Sequence, residues 1–326
     1  MLTSPPQPTP PLPLRWLRTL WQTHPPLLIS GLLFAAMVVF FGAGILLDGR
    51  TVLGAPAWLK PTKFAVSFVI YNLTLLWMLG FVEGRPRLVS ALAWLIVATS
   101  LIETLAIAGQ AARGTTSHYN TATALDAAVW SVMGATIIVL WLTHLGITLL
   151  IVFQRFGHPA FALSLRLGLG ITLLGLLEAF LMASPLGQAL ASAGGVSSPV
   201  ALAGIAGAHS VGVADGGAGL PVLGWSTEGG DLRAGHFNGI HALQVLPLCA
   251  WLLTRLRLSV PQQVALVRTA GASYLAVMVL VVWQALRGQP ITAPDALTAA
   301  VFAAIVLSAG ASAVLIWRRP SPARAA

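Results

Sequence analysis

Charge is what this sequence has least of. Only 8% of its 326 residues are Asp, Glu, Lys or Arg, against roughly 25% in an ordinary soluble domain. A chain so poor in charge cannot cover a water-facing surface, so a soluble globular fold is excluded and most of its area must meet lipid. Acidic residues number nine, and lysine occurs twice, at Lys60 and Lys63. The single cysteine, Cys249, lies inside an apolar block. It excludes both an intrachain disulfide framework and a cysteine-built metal centre. No internal repeat is visible, and no segment between the apolar blocks is long enough to stand as a soluble domain.

What the sequence has is hydrophobicity in blocks. Apolar residues make up 57% of it, gathered in runs of about twenty, the length a helix needs to cross the hydrocarbon. The fold class predicted is all-α, a polytopic transmembrane helix bundle of about eight spans. They run near Leu27–Leu47, Lys63–Phe81, Leu88–Gln110, Leu125–Phe153, Phe161–Met182, His236–Leu253, Val264–Leu286 and Ala296–Trp317. Residues 1–25 read as a disordered, proline-rich cytoplasmic N-terminus. Residues 26–318 form the membrane domain, with one long outer loop at 183–235, and 319–326 are a basic cytoplasmic tail. The first block is read as a retained helix, since no small-residue cleavage motif follows it.

The net charge of +9 would suggest nucleic acid in a soluble protein. Here the basic residues sit in short loops between apolar blocks, which is how topology is controlled, and no nucleic-acid partner is expected. With a cytoplasmic N-terminus, twelve of the eighteen Lys and Arg fall on the inner side and six on the outer side. That split predicts both termini inside. A composition rich in Ala, Leu and Gly, with Arg far above Lys, fits a bacterial inner membrane.

Ionisable groups within a span are costly and tend to face a cavity or each other. Thr99, Glu103, Gln110 and Arg113 share one helix face, as do Lys63, Ser67, Tyr71 and Thr74. The predicted orientation puts Lys63, Glu103, Asp126, Glu178 and His241 all toward the outer leaflet, which implies a polar cavity open to the outside. The alternative is that these groups pair off as interhelical glue. His144 and His158 are assigned to the cytoplasmic interface.

Two loop motifs flank the expected cavity: Arg113-Gly-Thr-Thr-Ser-His-Tyr-Asn, and Gly230-Asp-Leu-Arg-Ala-Gly-His-Phe-Asn-Gly-Ile-His. His118, His236 and His241 are candidate ligands for zinc or another divalent ion, with Glu103 and Asp126 as acid–base groups. Lys63, Arg113, Asn120, Asp231, Arg233, Asn238 and Gln244 are candidates for substrate or lid contacts. His236 and His241 can share an ion only if His236 precedes its helix, and an N-cap at Asp231 would start that helix too early. A haem reading ranks behind the metal reading. The loop at 183–235 is apolar at Pro199–His209, where a short interfacial or re-entrant helix is possible, and glycine-dense at Val211–Gly235. It is expected to fold back as a lid, with Arg233 pairing Asp126 or Glu103; a plain flexible linker is the other reading.

The runs Gly207-Ala-His-Ser-Val-Gly, Gly216-Gly-Ala-Gly-Leu-Pro, Gly224-Trp-Ser-Thr and Gly230-Asp-Leu-Arg through His241-Ala-Leu-Gln, with Trp58-Leu-Lys-Pro-Thr-Lys-Phe-Ala and the Arg113 motif, resemble a family of uncharacterised bacterial multispanning proteins. That resemblance implies a membrane bundle and no activity. A fainter analogy is to the ceramidase and adiponectin-receptor-like membrane hydrolases. Ser117, His118, Asp126, His236 and His241 follow their ligand order, although the His spacing departs from it. Two functions stay open: a metal-dependent hydrolase acting on a lipid or lipid-linked substrate, and a transporter or permease for a small polar or anionic solute.

Overall fold

The computed structural model describes residues 20–193, 195–196 and 204–320. Most of the proline-rich N-terminus and nearly all of the basic tail lie outside the described residues, as do positions 197–203 of the long loop.

Nine helices of eight or more residues make up most of the described structure: α1 (Pro25–Leu47), α2 (Leu59–Leu79), α3 (Pro86–Ala112), α4 (Ala124–Val152), α5 (Pro159–Met182), α6 (Pro185–Ala193), α7 (Leu232–Leu253), α8 (Val260–Leu286) and α9 (Ala296–Arg318). Two two-stranded ribbons complete it, β1 (Thr51–Val52) with β2 (Ala55–Pro56), and β3 (Ser210–Val211) with β4 (Gly230–Asp231). Seven helices are long and apolar enough to cross a membrane, so the chain is an integral, multi-pass membrane protein. The remaining expected span falls within α7. That helix has 22 residues but is not among the seven, because Arg233, His236, Asn238, His241 and Gln244 dilute its apolar character.

Helix starts follow the local chemistry of the chain. Proline sits in the first turn of α1, α3, α5 and α8, where its missing N–H would have had no partner. Thr123 caps α4 by accepting from the Asp126 N–H, and Asp231 and Asp295 cap α7 and α9. Each cap satisfies a donor that would otherwise be orphaned.

The tightest packing is the crossing of α5 on α7. A Cβ added at Gly175 would lie 2.6 Å from the Gly239 Cα, and one at Gly168 would lie 2.9 Å from the Ala242 carbonyl. Small residues let the two backbones meet, which is how helices associate where water supplies no hydrophobic drive. Thr172 Oγ1 donates across the crossing to the Ile240 carbonyl at 3.3 Å. The main apolar core runs through α1 to α5. At the end of the bundle away from the long loop, Trp77, Phe81, Phe156 and Phe161 pack edge to face as a floor. By contrast, α9 leans chiefly on α8 and buries only Thr298 and Ile316.

His144 is not at an interface. It is fully buried in the bundle, and its Nδ1 is 2.8 Å from the Tyr71 hydroxyl. Counting from the end of α4 misleads here, because that helix has 29 residues, more than the roughly 20 a bilayer crossing needs.

Candidate functional site

The site lies at the loop end of the bundle, where the first residues of α2, α4 and α7 and the last residues of α3 and α5 come together. Three stretches of loop cross it. The first, Arg113–Thr123, carries Ser117, His118, Tyr119 and Asn120. Asn120 closes that turn: its amide donates to Thr115 Oγ1 at 3.0 Å and to the Thr116 carbonyl at 3.1 Å, and its own Oδ1 accepts from the Ala122 N–H. Tyr119 is held at φ +60, a left-handed backbone that costs a bulky residue free energy and is maintained only where the surroundings enforce it. Enforcement is visible. The ring is buried and packs against Trp130 and His209 at 5.0 and 4.9 Å, and the Tyr119 carbonyl accepts from the Ala206 N–H.

The second and third stretches belong to the long loop, which is stitched onto the helix ends. Thr121 N donates to the Gly204 carbonyl, Ala208 N to the Met182 carbonyl and Leu232 N to the His209 carbonyl, at 2.8, 3.0 and 3.0 Å. Pairing of β3 with β4 returns the chain to the start of α7. Farther along, Lys63 Nζ donates to the Leu223 carbonyl at 3.0 Å and Arg233 Nη2 to the Gly224 carbonyl at 2.6 Å. The described part of the loop therefore lies over the helix ends. The helix expected over Pro199–His209 does not form in its described part, 204–209, which is extended.

Inside, two imidazoles each have a carboxyl neighbour. His118 Nε2 is 3.9 Å from Glu103 Oε1, and its Nδ1 is 3.1 Å from the Ser117 hydroxyl. His209 Nδ1 is 2.6 Å from Asp215 Oδ2, and Asp215 also accepts from the backbone N–H groups of His209 and Ser210. The two rings stack with centroids 6.1 Å apart. Glu103 is 1% exposed, and its Oε2 has no partner among the described residues; neither oxygen of buried Glu178 has one.

Burial, reinforced by the positive charge of Lys60, holds His118 well below the usual histidine range. Burial also lowers His209, against the pull of its Asp215 hydrogen bond. At Asp215, burial would raise the carboxyl. The three hydrogen bonds from His209 and Ser210 outweigh it and keep the group below the usual carboxylate range. His209 is thus a neutral ring whose Nδ1–H is fixed on a carboxylate, leaving Nε2 as the basic nitrogen.

Several expected roles change. Asp126 does not join Glu103 as a free acid–base group. It accepts from Thr123 Oγ1 at 2.6 Å, Gln110 Nε2 at 2.9 Å and Arg113 Nη1 at 2.7 Å, so it ties the first turn of α4 to the last turn of α3. Arg233 does not pair Asp126 or Glu103. Its guanidinium lies on Asp231, the cap of its own helix, because the two share one helix turn. The histidines expected to share a metal do not converge. Both His236 and His241 lie inside α7, five residues and about 140° apart at 100° per residue. His236 Nδ1 is 2.7 Å from the Gly175 carbonyl, toward α5, whereas His241 packs on Phe237 and lies 3.2 Å from Gln244 Oε1. No three His, Cys, Asp or Glu side chains among the described residues could hold one ion. Gln244 reaches on to Thr74 Oγ1, and the Asn238 carbonyl accepts from the Tyr274 hydroxyl; both are ties between helices.

The sequence reading missed His209 and Asp215 as a pair. A signal was present: the two lie six apart in a stretch broken by Gly212 and Gly216, both at positive φ, which lets the chain turn back on itself. No protein-family model matches the chain, and searches of curated proteins and of solved structures found no match.

Proposed function

We propose that this chain is a bacterial inner-membrane protein of eight spans, with both termini inside and the polar cluster at the loop end facing outward, that hydrolyses a lipid or lipid-linked substrate by acid–base chemistry. The observation that carries the reading is the pairing of His209 with Asp215 at 2.6 Å, stacked against the His118–Glu103 pair and roofed by a loop. A general base needs a free basic nitrogen, a fixed tautomer and shelter from bulk water. In the proposed step a water oxygen bonds to the electrophilic carbon or phosphorus of the substrate, and its proton passes to His209 Nε2. The bond to the leaving oxygen breaks, and the same proton is delivered there. Ser117, His118 and Glu103 hold the water and the polar end of the substrate. The aromatic floor counts against the transporter reading, since packed rings and not polar groups stand at the opposite end of α2 and α5, whereas a transporter needs polar access from both sides. For the span count, α7 supports eight, because it lies between α5 and α8 in contact with both.

Turnover of fluorogenic lipid esters and phosphodiesters by protein in nanodiscs tests the chemistry. His209→Asn should lower the rate by about 10²–10⁴, the usual worth of a positioned base. Equal turnover by the variant would overturn the assignment, and solute uptake by proteoliposomes without turnover would transfer it to transport. Reporter fusions at positions 84, 157, 259 and 322 should read as inside, and at 55, 117, 215 and 291 as outside.

A further inference from the structure

On the far side of α7 from His236, between α7 and α8, a groove of about 470 Å³ opens on the flank of the bundle. Phe237, Val245, Val281 and Ile291 give it apolar walls, and Asn238 and His241 supply polar points. Trp225, from the long loop, also lines it and packs on Phe237 at 5.6 Å. A second hollow of about 320 Å³ shares Asn238 and Tyr274 with it and runs on to α9. The two hollows together form one trough along α7 and α8.

The residues just before Trp225 carry the second observation. Gly224 stands at φ +68, and the point where its side chain would begin lies 3.9 Å from both Lys63 Nζ and Arg233 Nη1. Two cations thus converge on one open point that a Cβ would fill. Asp231 is the carboxylate that binds Arg233. Cations at such a point suit a phosphate oxygen, and the apolar groove beside it suits a hydrocarbon chain.

We propose that the trough and the Gly224 point together bind one anionic phospholipid from the leaflet at the loop end, its phosphate between Lys63 and Arg233 and an acyl chain along Phe237 and Val245. The proposal rests on the hydrolase reading only in naming the substrate class, anionic lipid entering sideways; the binding itself does not depend on turnover. Charge selects the headgroup at Gly224, and Trp225 links groove occupancy to the long loop.

Native mass spectrometry of the detergent-solubilised protein, with dioleoyl phosphatidylglycerol and dioleoyl phosphatidylcholine added separately, tests it. One phosphatidylglycerol should be retained about tenfold more strongly than phosphatidylcholine, the worth of one charge-assisted contact. Lys63→Gln should remove that preference, and Val245→Trp, which fills the groove, should weaken both lipids while the protein keeps its unfolding midpoint. Equal retention of the two lipids, or retention unchanged in both variants, would overturn the proposal. So would inorganic phosphate displacing the headgroup preference while Val245→Trp changes nothing, which would give the cations to a soluble anion. Lipid selectivity without turnover would sink the hydrolase reading alone, and turnover without selectivity would sink this one alone.

Discussion

Asp215 Oδ2 lies 2.6 Å from His209 Nδ1 and also accepts the His209 backbone N–H at 3.1 Å. One carboxylate therefore holds both the ring and the backbone of the same histidine, so turning the imidazole away would give up a hydrogen bond that the turn itself presents.

Asp215→Asn should separate the two effects. An amide oxygen can still accept a backbone N–H but no longer stabilises a charged ring. Hydrogen exchange at Ser210 and the flanking positions 209–216 should quicken only modestly, whereas turnover should fall by about 10²-fold or more. Unchanged turnover would remove the pair from the mechanism.

Stability should fall as pH drops below the ordinary histidine value of 6.5. His118 is held neutral in the folded protein, well below that value. The unfolded chain takes up the proton first, so acid favours unfolding across the window between the two values, by about 1.4 kcal/mol per pH unit for one such group. Asp215 acts in a lower window. Its folded value lies below the ordinary 3.8, so its contribution is lost only as pH falls beneath that. Thermal midpoints measured from about pH 7.5 to about pH 5 should decline in the parent protein and decline less steeply in His118→Gln, where His209 alone of the two stacked rings keeps the effect. A flat profile in the parent would contradict the burial of a neutral ring.

Asp126 and Glu103 should respond oppositely to removal. Asp126→Ala breaks contacts with Thr123, Gln110 and Arg113. It should lower the unfolding midpoint while the surviving folded fraction keeps most of its turnover. Glu103→Gln removes a buried carboxyl with an unpartnered oxygen, and should leave stability equal or higher while turnover falls. The reverse pattern would restore Asp126 to the chemistry.

The α5–α7 crossing admits no side chain. Gly239→Val forces Cβ onto the Gly175 backbone and should cost about 1–3 kcal/mol, the usual penalty of overpacking, or prevent accumulation. Gly134→Val, at a glycine with open space around its would-be Cβ, is the control and should be tolerated. Equal behaviour of the two variants would show that the close approach is not needed.

The seven apolar helices were legible because each is written as one long apolar run: the chain must satisfy its backbone within lipid, and little else in the sequence competes. The short α6 was not, since its nine residues fall within the stretch read as loop. The polar face Glu103 and Gln110 was legible from helical period. What periodicity could not give was partner choice. Asp126 sits on the expected side of the bundle, yet the cap geometry of Thr123 and the reach of Arg113 engage it. Arg233 was assigned to distant acids, when the nearest carboxylate was two residues back. His209 escaped notice because it lies in a loop, where no period marks which way a side chain faces.

The glycine-rich loop has a consequence for biogenesis. The ribbon Ser210–Val211 has its partner in Gly230–Asp231, directly ahead of α7, while the same loop seats on Tyr119 and Met182, made much earlier. As the chain leaves the ribosome, α2 to α5 can enter the membrane before Gly230 and Asp231 exist to pair with Ser210 and Val211. Closure of that ribbon is thus a late event of synthesis, and chains arrested before residue 230 should carry inserted early helices with the loop unpinned at that point.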